Sequence, residues 1–100
     1  MKKLFLLMVG FASIAFASEG VAMIQAYSVV AAGVGLGLAA LGGAVGMGNT
    51  AAATIAGTAR NPGLGGKLMT TMFIAIAMIE AQVIYTLVIA LIALYANPFL

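Results

Sequence analysis

The chain contains no cysteine and no histidine, and only 6% of its 100 residues are charged. The first two absences exclude disulfides, thiol catalysis, zinc centres and imidazole acid–base chemistry. Scarcity of charge excludes more. Soluble domains carry about 25% charged residues, and a chain of this length in water needs a polar surface that these side chains cannot supply. The four basic residues fall in two short clusters and the net charge is +2, too sparse for a nucleic-acid interface. What is there is apolar: 65% of the residues are hydrophobic. The expected solvent is a bilayer, and the length allows at most three crossings.

The chain opens on Lys2 and Lys3, followed by an apolar run from Leu4 to Ala17 that closes Ala15-Phe16-Ala17. A basic start, a short apolar core and a small-x-small end describe a secretory signal peptide, residues 1–17, with the cut expected between Ala17 and Ser18. The run is shorter than the roughly 20 residues of a spanning helix. A retained, shortened membrane helix is the alternative.

Residues 18–100 read as a transmembrane helical hairpin. Between Glu19 and Arg60 no side chain is charged, and helix 1 is expected over about 24–59 of this stretch. Arg60-Asn61-Pro62-Gly63 and Gly65-Gly66-Lys67 interrupt it. Proline removes a helix donor and glycine weakens helices, so a polar turn is expected over about 60–66. Helix 2 is expected over about 67–96, with Glu80 its only acid and Asn97-Pro98 its end. The positive-inside rule keeps Lys2, Lys3 and the Arg60/Lys67 turn cytoplasmic. Both mature termini then lie outside, which for a bacterium with a secretory leader means a periplasmic face of the inner (plasma) membrane. Tyr27, Tyr95 and Asn97 suit the outer headgroup layer as anchors.

Helix 1 carries most of the glycines, and their placement at 100° per residue is informative. Gly33, Gly37, Ala40, Ala44, Gly48 and Ala51 form one stripe; Gly35, Ala39, Gly42, Gly46, Thr50, Ala53 and Gly57 form another on nearly the opposite side. Each glycine costs a soluble helix about 1 kcal/mol, but in membranes small residues let backbones approach closely. Two opposed small faces suit a neighbour on each side, and head-to-tail repetition closes such a contact into a homo-oligomeric ring. Gly33, Gly35, Gly37, Gly42, Gly46 and Gly48 are the expected ring-packing positions. The Gly-x-Gly-x-Gly run is no nucleotide fingerprint, since no strand precedes it and no acidic ribose partner follows.

Glu80, in Met78-Ile79-Glu80-Ala81-Gln82, lies roughly 20 Å from Lys67 and 25 Å from Asn97 along a helix. It sits near the bilayer midplane with no Lys or Arg in either helix close enough to pair with it. Ionisation there costs several kcal/mol. The carboxyl is expected neutral where it faces lipid and charged only where water or an external cation reaches it. A group whose two states are set by its surroundings is a proton carrier. A structural glutamic acid, hydrogen-bonded to the helix 1 backbone or to Gln82, is the bland alternative; Tyr85, just over a turn away, offers a hydroxyl.

The Gly-x-Gly-x-Gly helix, Ala59-Arg60-Asn61-Pro62, Met78-Ile79-Glu80-Ala81, Ile84-Tyr85 and Tyr95-Ala96-Asn97-Pro98-Phe99 closely resemble the c subunit of the F-type rotary ATP synthase, from about residue 26 to the end. The resemblance implies an all-α membrane fold of hairpins assembled in a ring that turns against a stationary a subunit and drives central-stalk subunits, coupling a proton gradient to ATP synthesis without bond chemistry of its own. Glu80 matches the ion-carrying carboxylate, and Arg60, Asn61 and Pro62 match the turn that meets the stalk. Asn61 stands for the usual Gln, and Gly63 for a common acidic residue. The leader is unusual for the family, yet its removal leaves the N-terminus outside, as the family has it.

Sodium-coupled members carry a Gln on helix 1 and a Ser or Thr pair after the carboxylate. Alignment puts Met47 at the first position, then Ala81 and Gln82. Sodium wants several hard oxygen ligands, and Met47 offers a soft sulfur, Ala81 nothing. The expected cargo is the proton, with no metal and no cofactor. The rival reading is a pore-forming or structural proteolipid, which needs neither a midplane acid nor a basic turn opposite both termini. Vacuolar-type proteolipids are commonly longer, with duplicated hairpins.

Overall fold

In a computed structural model the chain is described from Met1 to Leu100, the side chains of residues 14–18 excepted. The expected cut between Ala17 and Ser18 lies among those five and outside the described residues. Two α-helices, α1 (Lys2–Arg60) and α2 (Gly65–Tyr95), are joined by a single 3-10 turn, Pro62–Leu64. They run antiparallel as a hairpin, and the molecule measures 89 × 15 × 10 Å.

The turn follows from Pro62. A proline disfavours α geometry in the residue before it. Asn61 accordingly leaves the helix at φ −142° and ψ 80°, while its N–H still donates to the Gly57 carbonyl at 3.0 Å. Leu64 N–H then donates to the Asn61 carbonyl, 3.0 Å away. Pro62 occupies the first position of the 3-10 turn, where a missing donor costs nothing. Arg60 ends α1, a placement that favours the helix dipole. The connection is therefore tighter than the expected 60–66. Glycines 65 and 66 open α2 rather than preceding it. Glycine at 65 suits this closeness, since a Cβ there would lie 3.1 Å from Thr58 Cγ2.

α1 does not begin near residue 24 as expected. It is continuous from Lys2, 59 residues in all, because no proline or charge cluster interrupts the run at Ser18–Gly20. Stretches Glu19–Arg60 and Pro62–Tyr95 are each long and apolar enough to cross a membrane. At 1.5 Å per residue the 31 residues of α2 span about 46 Å, more than the ~30 Å hydrocarbon layer.

Among the described residues almost nothing is fully buried. Of these, only Ala32, Gly43 and Ala90 are closed off, all at the seam between the helices. Gly43 marks a close approach: a Cβ there would lie 2.8 Å from Val83 Cγ2 and 3.6 Å from Ile79 Cγ2. The large apolar side chains Leu38, Leu41, Val45, Ile55, Phe73 and Ile84 point outward, as a surface solvated by lipid or by other hydrophobic helices requires. The backbone satisfies the threonine hydroxyls of α1. Thr50, Thr54 and Thr58 each donate to the carbonyl four residues earlier, at 2.8 Å, an arrangement that hides a polar group in an apolar medium.

Candidate functional site

Glu80 is the central residue of α2, fifteen residues from Gly65 and fifteen from Tyr95. Each end is thus about 22 Å away along the axis. Its side chain is exposed on the hairpin surface. It opens onto a cleft of about 280 Å³ lined, besides itself, by Ala40, Met47, Val83 and Ile84. Those four side chains present methyls, methylenes and one thioether. Among the described residues no side chain or backbone group hydrogen-bonds the Glu80 carboxyl within the hairpin. The helix 1 backbone therefore does not serve as its partner, and Tyr85 points outward, 67% exposed.

α1 and α2 bring Met47 into the cleft of Glu80. Gln82 lies elsewhere. Two residues along a helix turn a side chain by about 200°, so Gln82 occupies the other flank of α2. Its Nε2 comes within 4.0 Å of where a Cβ on Gly43 would stand.

The small-residue stripes border the seam on its two sides. Ala40, of the first stripe, stands on the Glu80 side. Around Gly33, Gly35, Gly37, Gly42 and Gly48 a Cβ would meet nothing within 4 Å. Those positions leave the hairpin's flanks flat and open. Gly46 differs: a Cβ on it would lie 3.4 Å from Ile79 Cδ1 of the same hairpin. Ala39, Thr50 and Gly57 are also half-covered. The second stripe is thus used in part to seat α2.

Arg60, Asn61 and Pro62 are exposed together at the tip of the hairpin, with Lys67 on the first turn of α2. At the opposite end the sequence reading missed a clamp. Asn97 Nδ2 donates to Ser28 Oγ at 2.9 Å across the helices, and Asn97 Oδ1 accepts from Phe99 N–H at 2.9 Å. The signal was available, since Asn97 precedes a proline that ends α2 and leaves the amide free to bond sideways. Ser28, one small polar residue among many, carried no such mark.

The family model of the ATP synthase c subunit matches residues 30–93. The chain is 85% identical along its whole length to the ATP synthase c subunit of Sulfurovum sp. (strain NBC37-1), covering 99% of that protein. It is 78% identical to the ATP synthase c subunit of Aliarcobacter butzleri (strain RM4018) and 77% identical to that of Campylobacter fetus subsp. fetus (strain 82-40), again over 100% of this chain and 99% of each relative. An apolar hairpin with one carboxyl halfway along its second helix, matched by these proteins along its whole length, belongs to the family of ATP synthase c subunits.

Proposed function

We propose that the chain is the proton-carrying rotor subunit of an ATP synthase, a non-catalytic membrane component whose identical copies form a ring. The observation that carries the reading is Glu80, alone among apolar side chains at the midpoint of α2. A proton arriving through one aqueous path neutralises the carboxylate, and the neutral form crosses lipid without the charging cost. It leaves where water or a basic group on the stationary partner stabilises the anion. Each transfer turns the ring, and the exposed Arg60–Pro62 tip passes torque to central-stalk subunits. The proton is the cargo rather than sodium: among the described residues of the single hairpin, the side chains that line the cleft beside Glu80 are Ala40, Met47, Val83 and Ile84, none of them the hard oxygen ligand that sodium wants.

In this reading the ring sits in a bacterial inner membrane, with the tip cytoplasmic and the Ser28–Asn97 end periplasmic. The leader is removed after Ala17. Glu80→Gln replaces the carboxyl by an amide of the same size that carries no transferable proton. Rings of this variant are expected to assemble and to lose proton-driven ATP synthesis. A hydrophobic carbodiimide, which attacks protonated carboxyls from lipid, is expected to modify Glu80 in the unaltered ring, with sodium giving no protection. Synthesis that persists in Glu80→Gln sinks the assignment.

A further inference from the structure

Two polar side chains are stranded at the middle of α2. Glu80 has no hydrogen-bond partner within the hairpin among the described residues, and neither has the side-chain amide of Gln82. An amide left unpaired in hydrocarbon is expensive, by several kcal/mol on transfer scales, so something outside the hairpin must satisfy both. The two lie only about 3 Å apart along the axis and about 200° apart around it. Glu80 stands on the Ala40/Met47 flank. Gln82 stands on the flank near Gly43, where Gly42, with open space around it, leaves room for an approaching helix.

Rotation about a ring axis sets one flank of each hairpin against the opposite flank of the next. We infer that Gln82 of one hairpin is the hydrogen-bond partner of Glu80 in its neighbour, the carboxylic O–H donating to the amide carbonyl and the amide N–H donating to the acid carbonyl. A neutral carboxyl and an amide match in this two-bond pairing, each supplying one donor and one acceptor. The pair satisfies both stranded groups at once and holds the acid in its protonated form while it faces lipid. Gln82 is then a specificity-determining residue for the protonated state. This rests on the ring reading above.

The test uses rings assembled from an equal mixture of two preparations of the chain, one with ¹⁵N-labelled glutamine side chains and one with ¹³C-labelled glutamate side chains. The chain has two of each, Gln25 and Gln82, Glu19 and Glu80. Solid-state NMR is expected to show a through-space correlation between Gln82 Nε2 and Glu80 Cδ, which in such rings arises only between different hairpins, and which disappears in Gln82→Leu. At a pH low enough to keep Glu80 protonated in both proteins, carbodiimide modification in rings of that variant is expected to run at least about fivefold faster, because the carboxyl no longer gives up hydrogen bonds to react. A resolved Glu80 signal that shows no correlation with the Gln82 amide overturns the pairing. Failure of the unaltered chain to assemble into rings on a native gel overturns the ring reading itself, whereas loss of this correlation in assembled rings leaves that reading standing.

Discussion

Gly43 is where a single atom decides the packing of the hairpin. Its missing Cβ is the space into which Val83 Cγ2 and Ile79 Cγ2 project. Val83 is β-branched, so in a helix it has essentially one rotamer and cannot step aside. Gly43→Val is therefore expected to force the helices apart, at about 1–3 kcal/mol for overpacking, and to move Met47 away from Glu80. Loss of thermal stability of the detergent-solubilised ring measures it, together with a change in carbodiimide reactivity at Glu80. Glu80 stands out in the sequence because an acid among apolar neighbours is costly to keep unless it binds something. The importance of Gly43 is not. In the sequence it is one glycine among thirteen, and only the position of Val83 across the seam sets it apart. The Asn97–Ser28 bond is hidden for the same reason, joining residues 69 apart in the chain.

At the scale of the helices, α1 has two kinds of glycine. Gly43, Gly46 and Gly57 meet α2 side chains, whereas Gly37 and Gly48 meet nothing in the hairpin. Periodicity alone separated two stripes but could not tell which served the hairpin and which served a neighbour, since both demands select small residues. The distinction yields an opposed pair of outcomes for Gly48. A leucine there has free space in the single hairpin and a helix propensity better by nearly 1 kcal/mol. Gly48→Leu is accordingly expected to leave the hairpin helical, by circular dichroism, while blocking ring assembly on a native gel. Rings that form normally with Leu at 48 show that this face packs against no neighbour. The turn was foreseeable in place but not in length: Pro62 announces it, yet whether Gly65 and Gly66 lie in the turn or start α2 depends on how closely Thr58 lets the helices approach.

For the whole molecule, the mismatch in helix length matters most. The Ser28–Asn97 bond lies two residues past the end of α2 and ties the C-terminal tail to α1. Before Ser28, where Met23, Ile24 and Tyr27 still line a cleft with Pro98 and Phe99 of the C-terminal tail, α1 runs on past α2 by about 39 Å at 1.5 Å per residue. An overhang this long, with Leu4, Phe5, Leu6, Leu7 and Phe11 exposed, cannot share a bilayer with α2 as one straight rod. Removal of residues 1–17 shortens the overhang to about 15 Å, near the depth of a headgroup layer and a turn or two of helix. Intact-mass measurement of the protein extracted from membranes is expected to give a chain beginning at Ser18. A mass corresponding to the full 100 residues would mean that the leader persists and bends away.

The position of Glu80, equally far from both ends of α2, has an electrical corollary. A membrane potential is worth about 2.3 kcal/mol per unit charge per 100 mV. For the proton carrier proposed above, a stopping place halfway through divides that work into two nearly equal shares, about 1.2 kcal/mol for the ion's entry and as much for its exit. Neither gate then bears the whole voltage, and a given field biases loading on one side and unloading on the other to the same degree.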